Sequence, residues 1–232
     1  MAATNFWRHY SSDLGRAVHT ATLVLDEKEE GLHDGKKSSH EFRLLQDSRI
    51  REIAKGARQG FPKSWSYNRA IKERQLTRPD EPIPLLESND EAWDRLYRFL
   101  YQVIREAYVE NQTETDHKGA LKKNILMVSH AGALRLLLHK LAPSSHPALS
   151  NNNELDDPSQ VPDDNKRLQV PNTSVTILDI VVENLDHLKH MIGSEGEAPP
   201  ISSEQHEKLW TAKVIEFLWV EHLKGLFTAN DE

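Results

Sequence analysis

Apolar positions recur along this 232-residue chain in two rhythms, one of period 3.6 and one of short unbroken runs. The clearest helical rhythm joins Trp93, Leu96, Tyr97, Leu100, Val103, Ile104 and Ala107 at i, i+3, i+4 and i+7 spacing, behind a Ser88-x-x-Glu91 capping box. It predicts a long amphipathic helix whose aromatic residues belong to a core. The clearest run is Ile125-Leu126-Met127-Val128, which ends in Ser129-His130 and passes through Ala131-Gly132 into a pattern of leucines that Pro143 stops. Four large apolar residues in a row suit a strand buried on both faces of a parallel sheet, followed by a tight turn and a helix. Near the N-terminus Ser12 can cap a helix whose Leu14, Ala17, Val18, Ala21 and Leu25 share one side. The β-branched stretch from Pro171 to Val182 predicts another strand, and the segment from Trp210 to Leu218 fits helix or strand on periodicity alone.

Between these elements the sequence turns polar. Residues 26–41 predict a loop or frayed helix end, and 44–60, with glycines at 56 and 60 among many arginines, predict an ordered loop over a regular element. The breaker-rich, aromatic segment from Pro62 to Pro84 reads as a lid or substrate-side insertion. Residues 144–169 hold five acids against two bases, and with 186–206 they predict mobile insertions in a single domain spanning 1–232. A net charge of −7 argues against a nucleic-acid partner while leaving room for a local basic pocket. The chain has no cysteine, which removes disulfides and thiolate metal sites. Its apolar runs are too short for a bilayer, and Met1 to Tyr10 lacks the pattern of a secretory signal. The expectation is a soluble protein of the cytoplasm or nucleus with no membrane partner.

Three residues carry the candidate chemistry. His130 falls at the carboxyl end of a predicted buried strand, where α/β sheets bind ligands and the amides of the next helix favour an anion; the other reading is a satisfied turn histidine. Arg16 falls in the first turn of a helix, off its apolar face, where a cation opposes the macrodipole unless an anion is shared between them; a solvated surface arginine is the bland alternative. Glu52 lies between Arg51 and Ile53, and partial burial would raise its pKa as a general acid requires, whereas pairing with arginine would lower it. His187-x-x-His190 has helical metal-ligand spacing but no third ligand, so no metal site is assigned.

Ser12-Asp13-Leu14-x-Arg16-Ala17-x-x-Thr20-Ala21, Ile50-Arg51-Glu52-Ile53-x-x-Gly56, Val128-Ser129-His130-Ala131-Gly132 and Asn172-Thr173-Ser174-Val175 follow one another in an order that resembles the histidine phosphatase superfamily, in its phosphoglycerate mutase-like branch. The resemblance implies a three-layer α/β/α sandwich with a mostly parallel sheet and an antiparallel C-terminal strand, which would make Trp210 to Leu218 a strand beside the one containing Val175. It implies that Arg16 and Asn172 bind the phosphoryl group of a small phosphorylated metabolite, that His130 is the assisting histidine and that Glu52 protonates the leaving oxygen. No cofactor is implied.

The resemblance departs at the nucleophile. In the family a histidine attacks phosphorus from an Arg-His-Gly motif at the end of the first strand, a few dozen residues ahead of the Ser-Asp-Leu motif, and this chain opens after that point. Arg8-His9 is followed by Tyr10 and falls inside the strand expected to lead into Ser11-Ser12, so no turn would present His9. The missing strand would also leave unpaired backbone groups beside Ile125 to Val128, with an unstable chain or a homo-oligomer formed through that edge as the consequence. The functional expectation is a family member, transferring or hydrolysing phosphoryl groups through a phosphohistidine, that is inactive in this form; the alternative is a non-catalytic phosphate-binding or interaction module.

Overall fold

The computed structural model describes residues 6–30, 43–62, 64–113, 123–141, 175–182 and 210–219. It is an α/β protein with a parallel sheet, and its chain divides into two compact units, residues 1–52 with 95–133 and residues 53–94 with 134–232. The expected insertions at 144–169 and 186–206 lie outside the described residues, as does His187-x-x-His190.

In the first unit a strand β1 (Arg8–Ser11) forms the middle of a three-stranded sheet. It pairs in parallel with β2 (Leu44–Gln46) on one side and β3 (Ile125–Val128) on the other, with His9 opposite both Leu44 and Leu126. Residues of β1 alternate between faces. Arg8 and Tyr10 meet a long helix, where Arg8 pairs with Glu106 and the Tyr10 ring sits edge-on to Phe99 at 5.1 Å. That helix, α3 (Asn89–Thr113), opens on the predicted capping box, with Ser88 Oγ accepting from the Glu91 N–H at 3.2 Å and Glu91 Oε2 accepting from the Ser88 N–H at 2.7 Å. Of the predicted stripe it buries Leu96, Tyr97, Leu100, Val103 and Ala107, with Trp93 and Ile104 half-buried, and it also buries Phe99 and Tyr101, which lie off the stripe. α1 (Gly15–Glu30) packs against all three strands and buries Ala17, Ala21 and Leu25.

Several expectations change. Ser12 does not cap α1: the helix begins at Gly15, and the Ser12 hydroxyl is used elsewhere. α1 runs through 26–30, which the sequence suggested were loop or fray. Leu44–Gln46 is a strand inside a segment read as loop, because its backbone is held by β1 and three residues are too few to show a rhythm. Ile125–Val128 is half-buried along its length, where the sequence predicted burial on both faces, and β3 is the end strand of the sheet among the described residues. One edge of β3 is paired with β1, and among the described residues the other edge carries no strand.

The second unit contains α2 (Tyr67–Thr77), capped by Ser66, whose hydroxyl accepts from the Arg69 N–H at 3.3 Å. The sequence reading of a lid or insertion missed this helix because proline and aromatic residues on both sides hid a short good helix former. Trp65 stacks on Phe61 at 4.9 Å just ahead of it, and Arg74 reaches back to the Ala57 carbonyl at 2.7 Å. The first turn of α4 (Ala131–Leu141) lies in the first unit and the remainder in the second, where Leu136, Leu137 and Leu138 are all buried. β4 (Val175–Val182) and β5 (Trp210–Trp219) form a separate antiparallel pair with Val182 opposite Trp210. Trp210 to Leu218 is therefore strand. No helix among the described residues is long and apolar enough to cross a membrane.

Candidate functional site

The carboxyl ends of the three parallel strands gather the chemistry of the first unit. As β1 ends, the Ser12 N–H continues the ladder to the Val128 carbonyl at 2.9 Å. As β2 ends, the Asp47 N–H bonds the Ser11 carbonyl at 2.9 Å, and Asp47 Oδ1 caps a single 3-10 turn, Ser48–Ile50, by accepting from the Arg49 N–H at 2.8 Å. Ile50 is fully buried, and its carbonyl accepts from Ser129 Oγ at 2.8 Å. Arg95 of α3 holds the same turn from the other side, donating to the Arg49 carbonyl at 2.6 Å and the Arg51 carbonyl at 2.9 Å. These bonds fix the backbone leading into Glu52, and the one from Ser129 ties it to the strand end that carries His130. Replacing Ser129 with alanine removes one of them and is expected to lower unfolding free energy by about 1 kcal/mol, measured by urea titration.

His130 is buried and uses both ring nitrogens. Arg16 Nε donates to Nδ1 at 3.2 Å, and Nε2 lies 2.9 Å from Ser12 Oγ. A guanidinium can only donate, so Nδ1 carries no proton and the ring is a neutral imidazole that donates from Nε2 to Ser12. Ser12 Oγ also accepts from the Leu14 N–H at 3.3 Å, which fixes the hydroxyl. Burial pushes the His130 pKa below its ordinary 6.5, the Arg16 and Arg95 charges push the same way, and Glu52 and Asp13 oppose them.

This shift has a pH consequence. A histidine held neutral in the fold binds fewer protons than in the unfolded chain once pH drops below 6.5, so acid favours unfolding there. The His130 contribution is intact above 6.5, declines as pH falls from 6.5 to the folded value, and changes no further below it. The expected results are an NMR titration midpoint for His130 below 6.5, and a fall in stability through that window that is smaller in a His130→Gln variant.

Glu52 follows Arg51, yet Arg51 forms a two-point pair with Asp13, whose carboxyl it holds below the usual range. Glu52 turns instead to the start of α4, where its Oε2 lies 3.4 Å from the Gly132 nitrogen and accepts from it. Gly132 makes this approach possible, since a Cβ there would lie 2.3 Å from Glu52 Oε1. The carboxylate therefore occupies the positive end of a helix.

Arg16, Glu52 and His130, chosen from the sequence, thus come together in one unit, while Asn172 lies outside the described residues. Ser12 and Arg95 were missed as site residues: a serine before a helix reads as a cap, and an arginine on an amphipathic helix reads as surface. His9 is placed as expected of a strand residue, 5% exposed in the middle strand of the sheet.

The sequence model of the histidine phosphatase superfamily (branch 1) matches residues 1–189. The chain belongs to this superfamily. Among solved structures, this histidine phosphatase superfamily member is similar to phosphoglycerate mutase from Bacillus anthracis str. Sterne, at 20% identity and a TM-score of 0.37, over 75% of this chain and 67% of that one. No curated protein sequence matches. Among the described residues of this superfamily member no group of histidine and acidic side chains could hold a metal ion.

Proposed function

We propose that the site around His130 binds the phosphoryl group of a small phosphorylated metabolite, with Arg16 and His130 holding its oxygens and Glu52 placed to protonate a leaving oxygen. The observation that carries this reading is the convergence of Arg16 on His130, 114 positions away in sequence, with Glu52 at the adjoining helix start. Arg16 engages His130 through Nε, which leaves the two terminal nitrogens of the fork for phosphate oxygens. Phosphoryl transfer depends mainly on such positioning and charge stabilisation, with a proton supplied to a poor alkoxide leaving group.

Within these 232 residues the Arg-His-Gly sequence does not occur, and His9 is enclosed in the sheet. The polypeptide is therefore expected to bind phosphate without forming a phosphohistidine. This favours a second reading, a phosphate-binding module without turnover. Titrating inorganic phosphate while following the His130 ring signals tests the site: saturable shifts are expected, and Arg16→Lys, which loses the fork, should weaken binding by roughly tenfold. Absence of saturable shifts would reject the phosphate site. Incubation with a phosphomonoester tests turnover, and a phosphorylated histidine accompanied by hydrolysis that His130→Ala abolishes would reject the non-catalytic reading.

A further inference from the structure

Ser12 is fully buried, and its backbone is held on both sides: its N–H bonds the Val128 carbonyl at 2.9 Å and its carbonyl accepts from Ser11 Oγ at 2.8 Å. Its hydroxyl oxygen faces two donors, the Leu14 N–H at 3.3 Å and His130 Nε2 at 2.9 Å. At the other edge of the ring, Nδ1 accepts from Arg16 Nε at 3.2 Å. The ring nitrogen beside the phosphate-holding arginine is therefore an acceptor, and the oxygens of a phosphoryl dianion are acceptors too. His130 can hold such an oxygen only once a proton sits on Nδ1.

Two routes would put it there, adding a second proton to the ring or moving the one already on Nε2. Burial opposes the first, and the Arg16 and Arg95 charges oppose it further. The second needs a partner for Nε2 that accepts a hydrogen bond before the move and donates one after it. A hydroxyl does both, whereas a carbonyl or a carboxylate can only accept. We propose that Ser12 is the positioning residue that switches His130 between two neutral tautomers, accepting from Nε2–H while the ring holds Arg16 and donating to Nε2 while Nδ1–H holds an oxyanion. This rests on the reading of the His130 region as a phosphate site. In the switch the Nε2–H bond breaks and an Nδ1–H bond forms by exchange with solvent, so the number of bound protons is unchanged. The Ser12 O–H turns onto Nε2 while its oxygen keeps the bond from the Leu14 N–H. Arg16 Nε–H, released from the ring, then joins the terminal nitrogens on the oxyanion.

Sulfate is the suitable probe, because near neutrality it is a tetrahedral dianion with acceptor oxygens only, whereas inorganic phosphate keeps an O–H that could satisfy Nδ1 as it stands. Long-range proton–nitrogen correlation spectra of the full chain, labelled with nitrogen-15 at histidine, report which ring nitrogen is protonated, and the signals missing from His130→Gln identify the ring. The expected result at neutral pH is a proton on Nε2 in the free protein and on Nδ1 at saturating sulfate. Ser12→Ala, which leaves Nε2 without a partner, should bind sulfate about tenfold more weakly, and Ser12→Thr, which restores the hydroxyl, should recover both the affinity and the reversal. Sulfate binding with the proton still on Nε2, or with both nitrogens protonated, would overturn the switch alone. Unchanged sulfate affinity in Ser12→Ala would overturn the role of Ser12. Absence of sulfate binding to the unaltered protein would overturn the phosphate site and the switch with it.

Discussion

Replacing Gly56 with alanine is expected to destabilise the protein by about 3 kcal/mol or more, lowering the melting temperature by roughly 6–12 °C. Gly56 has φ +53°, a left-handed conformation that costs a residue with a Cβ about 1–2 kcal/mol. The larger part comes from its neighbours. A Cβ at 56 would lie 2.9 Å from the Leu86 nitrogen, 3.0 Å from the Leu86 Cα and 2.8 Å from the Tyr67 hydroxyl. Leu86 cannot withdraw, because Lys55 and Leu86 form an antiparallel bridge and the Glu87 N–H bonds the Ala54 carbonyl at 3.1 Å. The Glu87 carboxylate adds a bond from the Ala54 N–H at 3.0 Å. Gly60 is the internal control. Its φ is +86°, but a Cβ there meets nothing within 4 Å, so Gly60→Ala should cost only the conformational part, about 1 kcal/mol. Equal midpoints for the two variants in urea would show that the crossing at Leu86 yields and would refute the prediction.

The two glycines also show what could be read from the sequence and what could not. Both pointed to an ordered loop in 44–60, but only the structure separates the one trapped under a backbone crossing from the one that is merely left-handed. Features defined by neighbours a few residues apart were legible. The Ser88 and Glu91 box, the stripe along α3 and the run from Ile125 into the leucines of α4 are local patterns, and they appear where the rhythm put them. Short elements held by distant partners were not. β2 has three residues and exists through its bonds to β1, whereas β5, open between helix and strand on periodicity, was given as a strand beside β4 by the family resemblance, and the pairing bears that out. The site divides in the same way. Arg16 and Glu52 stood out because a cation in a first helical turn and a carboxyl between arginine and isoleucine are locally odd. Ser12 is locally ordinary, and its bond to His130 spans 118 positions.

Gly132→Ala should behave in the opposite sense to Gly56→Ala, with stability kept within about 1 kcal/mol and phosphate binding weakened on the order of tenfold to a hundredfold. The clash at 132 is closer than any at 56, since a Cβ would lie 2.3 Å from Glu52 Oε1. The atom it meets, however, is the end of a flexible side chain, which can rotate away without moving the backbone. Gly132 is the second residue of α4, where the helix preference of alanine over glycine is a fraction of its interior value of about 1 kcal/mol and offsets part of the lost contact. What cannot rotate away is the new methyl group. It sits where the carboxylate lay and crowds the Gly132 N–H, the donor that Glu52 now uses and that an incoming oxyanion would use in its place. A charge-assisted bond of this kind contributes about 1.5–3 kcal/mol, which sets the size of the expected loss. The weakened binding of Gly132→Ala should appear as a higher phosphate concentration needed to saturate the shifts of the His130 ring signals, and a variant with normal phosphate affinity would show that the α4 end is not where the oxyanion sits.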